Sequence, residues 1–86
     1  MAWTIEISES AAKTLKKLDR PVAQRIIKFL RERVASDPKA IGDQLQGNLS
    51  EFWRYRVGAY RIFTIHEEAA VKVIVVKIGH RGEVYR

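Results

Sequence analysis

The sequence predicts a small single-domain α+β protein spanning residues 1–86, with element order β-α-α-β-β-β and two helices packed on one face of an antiparallel sheet. Three observations carry this. Apolar residues alternate over the first seven positions. They then recur every three or four residues from Ala11 to Val34. Alternation returns between residues 52 and 78 among aromatic and β-branched side chains, broken once by Gly58-Ala59. Eighty-six residues allow one domain and a thin core, because a chain this short buries only about 60–65% of its unfolded surface.

Trp3, Ile5 and Ile7 alternate with Thr4 and Glu6, the period of a half-buried strand. Ser8 then offers a helix N-cap, with Glu9 well placed at the positive end of the helix dipole. Ala11, Leu15 and Leu18 form one helical stripe. Asp19-Arg20-Pro21 reads as a stop and a restart, with Asp19 as the next N-cap and Pro21 in the first turn. In the longer second helix Val22, Ile26, Leu30 and Val34, flanked by Ala23, Ile27 and Phe29, make a broad apolar face. Arg25, Lys28, Arg31, Glu32 and Arg33 lie on its outer side. Ser36-Asp37-Pro38 ends it. Residues 37–51 read as a loop with at most a short turn around 41–45, since Gly42, Gly47 and Asn48 disfavour a long element. Residues 52–57, 60–66 and 71–78 are strands by composition. Gly58-Ala59 suits a two-residue hairpin turn with glycine first, residues 67–70 make the next connection, and residues 79–86 form a tail.

Sixteen Lys and Arg stand against ten Asp and Glu, a net charge of +6. A hydrophobic fraction of 47% excludes a disordered tail. The absence of cysteine excludes a disulfide scaffold and a thiolate zinc site. With two isolated histidines, no metal or other cofactor is expected. No apolar run approaches the roughly 20 residues of a membrane span, and the opening Met-Ala-Trp-Thr-Ile-Glu lacks the regions of a signal peptide. A cytoplasmic protein without membrane contact is expected. Residues 1–51 carry nine basic and seven acidic side chains, residues 52–86 seven and three. The basic excess therefore concentrates in the strand-rich part, and favours an anionic partner.

With Gly58-Ala59 as the turn, Val57 lies opposite Tyr60, Arg56 opposite Arg61 and Arg54 opposite Phe63. Side chains alternate along a strand, so Trp53, Tyr55, Val57, Tyr60, Ile62 and Thr64 share the face under the helices. Arg54, Arg56, Arg61 and Phe63 share the other. Like charges opposite each other are destabilising. Either these long side chains splay apart in water, or an anion sits among them. The tail adds Arg81 and, four residues on, Tyr85. Clustered arginine with an aromatic suits RNA: guanidinium grips phosphate in a bidentate way, and a ring stacks on an unpaired base. His80 has a titration range suited to acid–base work, but also reads as a polar loop residue. His66 is a poor candidate. It lies five residues beyond Arg61, roughly 17 Å along a strand, and faces either helices or solvent. Glu83 is open as a base or as a salt-bridge partner of Arg81.

The stretch Phe52-Trp53-Arg54-Tyr55-Arg56-Val57-Gly58-Ala59-Tyr60-Arg61-Ile62-Phe63 resembles the hairpin of the RelE toxins of the RelE/ParE superfamily. Ile78-Gly79-His80-Arg81-Gly82-Glu83-Val84-Tyr85-Arg86 resembles their tail. Leu45-Gln46-Gly47 sits where these toxins carry Leu-x-Gly before the hairpin, and the resemblance covers essentially the whole chain. It implies a RelE-like fold and the toxin of a type II toxin–antitoxin system. The implied activity is that of a ribosome-dependent mRNA endoribonuclease, cleaving message in the A site by metal-free attack of a ribose 2′-OH, and so inhibiting translation. The implied partners are the ribosome, mRNA and a RelB-like antitoxin. By position it makes Arg61 the holder of the scissile phosphate, places Arg81 near the leaving oxygen, and stacks Tyr85 on a base. Arg56 stands where some relatives have a lysine proposed as base. Arg54 and His80 fall among RNA-binding positions. Ala59 and Gly82 depart from the family, which often has Asp and a basic residue there. The alternatives are a ParE-like toxin that poisons gyrase, and an inactive relative acting as an antitoxin-bound co-repressor. The basic outer side of the second helix is a solvated face by its pattern, and a contact for ribosomal RNA in a ribosome-bound toxin.

Overall fold

The computed structural model describes residues 2–80 and Gly82. The elements run β1 (Thr4–Ile7), α1 (Glu9–Lys17), α2 (Arg20–Phe29), a π-helical turn (Leu30–Val34), α3 (Pro38–Ile41), β2 (Asp43–Gln44), a 3-10 turn (Gly47–Leu49), β3 (Phe52–Val57), β4 (Tyr60–Glu67) and β5 (Lys72–His80). The expected α+β class holds, with helices on one face of the sheet. Ser8 caps α1 by accepting the Ala11 N–H at 3.1 Å. Asp19 occupies the N-cap of α2 without a side-chain bond, and Pro21 lies in its first turn. The π turn prolongs α2 to Val34, its extra residue absorbed where the Ala35 N–H reaches the Leu30 carbonyl at 2.9 Å.

Three features differ from expectation. Residues 37–51 are not simply a loop. Asp37, read as the end of α2, also starts α3, its carboxylate accepting the Ala40 N–H at 3.3 Å ahead of Pro38. The two residues of β2 then pair with the outer edge of β3. Secondly, the sheet is mixed. Its order is β1-β5-β4-β3-β2, and β1 runs parallel to β5 while the other neighbours are antiparallel. Alternation identified β1 as a strand but held no information about its partner. Val71 enters β5 with φ +50°, a costly conformation for a β-branched residue, and its carbonyl accepts the Thr4 N–H at 2.9 Å where the parallel pair begins. Thirdly, β5 runs to His80, so Gly79 and His80 belong to the sheet and not to a tail.

The core lies between the helices and one sheet face. Ala11, Leu15, Ile26, Leu30 and Val34 meet Tyr55, Val57, Ile62, Val73, Val75 and Ile78. A β-bulge sets which residues of β5 join it. Phe63 pairs with Lys77 but Thr64 pairs with Val75, leaving Val76 as the extra residue. Val75 and Ile78, three apart, are therefore both buried. Lys77 and Gly79 turn to the open face.

Tyr55, 1% exposed, is the polar anchor of this core. Its hydroxyl donates to the Pro38 carbonyl at 2.6 Å, and burial pushes its pKa up to about 12. The ring lies so close to Gly42 that a Cβ there would come within 2.7 Å of it. The same hydroxyl lies 3.2 Å from His66 Nε2. Since its proton is committed to Pro38, His66 must donate through Nε2–H. His66 thus faces the helices, stacked on Trp53 at 4.8 Å and tilted against Trp3 at 5.7 Å. Its Nδ1 is shielded from water, with no partner among the described residues. Both tryptophans are packed against the core, as expected.

Two outcomes follow from this anchor. Tyr55→Phe removes a donor to the Pro38 carbonyl and the acceptor of His66, and should cost about 1–3 kcal/mol in urea unfolding; an unchanged midpoint would contradict it. Burial, aided by Lys39 and opposed by Glu68, lowers the His66 pKa below its usual 6.5, so the folded ring is neutral. Stability should be complete above about pH 6.5 and fall below it, because the unfolded chain takes up the proton first. Denaturation midpoints between pH 8 and pH 5, followed by tryptophan fluorescence, should show this loss in the native protein and a smaller one in His66→Gln.

Candidate functional site

The open face of the sheet carries the cations. The hairpin has the expected register: Arg56 opposite Arg61, Arg54 opposite Phe63 and Val57 opposite Tyr60. Gly58 takes φ +59° and Ala59 stays negative, the pattern of a II′ turn that needs glycine first. Two rows result. One runs Arg56, Arg61, Gly79 across β3, β4 and β5. The next runs Asp43, Arg54, Phe63, Lys77 across β2 to β5.

The guanidiniums differ in their restraint. Arg61 is held by the turn it follows, with Nη1 donating to the Gly58 carbonyl at 3.2 Å and the Tyr60 carbonyl at 3.1 Å. Its Nε is buried and donates to nothing among the described residues, so the outward nitrogens of the guanidinium are the ones open to an anion. Arg54 is half-buried and approaches the Asp43 carboxylate at 3.7 Å. Arg56 is exposed. Among the described residues, neither Arg56, Arg61 nor Lys77 makes an ion pair; the four that exist use Lys13, Lys39, Arg54 and Lys72. Phe63 also helps line an apolar cleft of about 400 Å³ beside these rows, with Leu45, Leu49, Phe52, Val76 and Lys77. Leu49 stands 48% exposed at its rim. Among the described residues no cluster of three or more His, Cys, Asp or Glu could hold a metal ion.

Arg54, Arg56 and Arg61 are therefore brought together. His80 is not on their face. It pairs with Tyr60, on the helix side, meets its ring edge-on at 5.5 Å, and accepts the Gly82 N–H through Nδ1 at 3.3 Å. Arg81 and Tyr85 lie outside the described residues. Lys77 joins the cations unforeseen, because the bulge that turns it outward is marked only by the adjacent pair Val75-Val76. Arg25 of α2 is the other addition. Its Nη1 lies 3.5 Å from where a Cβ on Gly58 would stand, so it reaches the hairpin turn.

The family model described as "ParE toxin of type II toxin-antitoxin system, parDE" matches residues 5–85. Toxin RelG of Mycobacterium tuberculosis is 23% identical over 86 residues, covering 100% of this chain and 99% of the relative. Toxin RelE of the same organism is 24% identical over 84 residues, covering 98% and 87%. In structure, the chain resembles one in the toxin–antitoxin complex RelBE2 from Mycobacterium tuberculosis with a TM-score of 0.88 at 20% identity, covering 96% and 95% of the two chains. It resembles the isolated E. coli RelE toxin with a TM-score of 0.77 at 28% identity, covering 98% and 92%.

An Arg56–Arg61 pair without an acid costs stability. Arg56→Thr should therefore hold or gain stability by about 0.2–1 kcal/mol, measured by urea unfolding at low salt, where repulsion is least screened. A clear loss would show that the pair is not strained.

Proposed function

The chain belongs to the ParE toxin family of type II toxin–antitoxin systems, within the RelE/ParE superfamily, and on that footing we propose that it is a ribosome-dependent endoribonuclease cutting mRNA in the A site. The observation that carries this reading is the pair Arg56 and Arg61, opposed on an open face without a carboxylate between them and with one guanidinium fixed in advance. In the reaction the 2′-oxygen of one ribose, losing its proton, attacks the adjacent phosphorus. The bond to the 5′-oxygen breaks, that oxygen takes up a proton, and the products are a 2′,3′-cyclic phosphate and a 5′-OH. Negative charge grows on the non-bridging oxygens. Arg61, held by the Gly58 and Tyr60 carbonyls, meets that charge with little reorganisation, and Arg56 adds a second guanidinium. Arg54 and Lys77 hold neighbouring phosphates. Arg81 is assigned to the leaving oxygen and Tyr85 to stacking on a base, which would align the nucleophile, by the family resemblance of their segment. Arginine does not surrender a proton readily, so Arg56 serves as a charge stabiliser rather than a base.

Solved relatives include complexes of RelE with RelB. A RelB-like antitoxin is accordingly the proposed partner, and the cleft beside Phe63 suits an apolar side chain of such a wrapping segment. The ribosome places the protein in the cytoplasm; among the described residues no helix is long and apolar enough to cross a membrane. Membership of the ParE toxin family favours a second reading, the ParE-like toxin that poisons gyrase.

Arg61→Ala should lower cleavage of message on 70S ribosomes about 10²–10³-fold while leaving the melting temperature within a few degrees, read by primer extension and circular dichroism. Undiminished cleavage by this variant, or intact message with the native protein, would overturn the nuclease reading. Accumulation of gyrase-cleaved DNA in expressing cells would establish the second.

A further inference from the structure

We propose that the apolar cleft beside Phe63 receives one unpaired base of the RNA strand whose phosphates lie on the open-face cations, with the Phe63 ring as its stacking platform. This deepens the RNA-cutting reading above and rests on it.

Phe63 stands where an outward strand position on a helix-free face ordinarily carries a polar side chain. Its cross-strand neighbours are both cations, Arg54 on β3 and Lys77 on β5, at the roughly 4.5–5.5 Å Cβ spacing of directly opposed residues. Arg61 lies two residues back along β4 on the same face, about 7 Å away. One ring is thus set among three cations. It is half-buried and takes no part in the core, which lies on the other side of the sheet. Basic groups interleaved with an aromatic ring are what a single strand needs, with phosphates on the cations and a base on the ring.

The cleft supplies the room. Leu45, directly after β2, is tied to β3 by donating its N–H to the Phe52 carbonyl at 2.9 Å, and the 3-10 turn ends on Leu49, which stays 48% exposed. The space that these two leucines line with Phe63 is about 400 Å³, within the range of about 300–1,000 Å³ common to small-molecule pockets. Among the described lining residues only Lys77 is polar. The lining therefore meets a base by its face rather than by its hydrogen-bonding edges, and tolerates any of the four. Lys77 holds the phosphate of the nucleotide whose base enters, so the cleft and the cation rows take up consecutive parts of one strand. This platform is separate from Tyr85, which the family resemblance assigns to a base. An apolar antitoxin side chain in the same cleft would exclude the base.

The probes are a six-nucleotide single-stranded RNA blocked by 2′-O-methylation, and versions of it with one base removed at a time, followed by fluorescence anisotropy. At one position the loss on base removal, about 10–100-fold with the native protein, should shrink to within about twofold in Phe63→Leu, which keeps the apolar filling but not the ring. It should persist in Phe63→Tyr, which keeps the ring. If Phe63→Leu fails to fold, Leu49→Ala at the exposed rim carries the test: it should weaken the complete RNA severalfold and leave the RNA lacking that base unchanged. The proposal is overturned if every loss is the same size in the variant as in the native protein, or if native protein binds complete and base-free RNAs alike. It is equally overturned if Phe63→Leu weakens binding of a RelB-like antitoxin alone, because the cleft then belongs to the antitoxin. Native protein that shows the Phe63-dependent loss yet cuts no message on 70S ribosomes removes the nuclease reading and keeps the cleft. Native protein that cuts message without such a loss keeps the nuclease reading and removes the cleft.

Discussion

The register of the β3–β4 hairpin is the constraint from which the rest of the molecule follows. A II′ turn that admits glycine at its first position fixes Val57 against Tyr60, and every later pair inherits that setting. A slip of one residue would move Tyr55 and Ile62 into water and turn the arginines toward the helices. The buried face makes such a slip prohibitive, and so the charged face is held in place by the apolar one. The opposition of Arg56 and Arg61 is unfavourable in itself, yet it is a necessary consequence of a register that the core demands.

The opposite side of the sheet supplies the stability that this arrangement consumes. Tyr55 sits between Arg54 and Arg56 in the chain but points the other way, its hydroxyl tied to Pro38 and to a histidine clasped by two tryptophans. One strand thus alternates between an anchoring side chain and side chains available to an anion. Proteins commonly give up stability where function needs strained or repelling groups, and here the two tendencies occupy alternate residues of β3.

Much of the fold was legible because it is local. Ser8, Asp19, Pro21 and Gly58 act on their nearest neighbours, and their effects read directly from the chain. The hairpin register and the face shared by Arg54, Arg56 and Arg61 were equally accessible, since a two-residue turn leaves one pairing. What was not legible depends on distant partners. The parallel alignment of β1 with β5 needs the whole crossover. The bulge at Val76 needs β4 to reveal that one residue is in excess, and it moves Lys77 and Gly79 to the open face while placing His80 with Tyr60. Arg25 looked like a solvated helix residue because nothing in its own helix indicates a glycine 33 positions later. The short helix at Pro38 is hidden for a different reason: Asp37-Pro38 ends one helix and begins another, and the two signals coincide in the chain.

A single phosphate lying between side chains of adjacent strands is the centre of the proposed reaction. A structure of the native protein on a 70S ribosome with message blocked by a 2′-O-methyl group at the cleaved codon tests it most directly. The scissile phosphate should lie within hydrogen-bond distance of the Arg61 guanidinium, with Arg56 across from it on the open face. A phosphate bound instead on the helix side of the sheet, or message that passes the hairpin without touching either arginine, would contradict it.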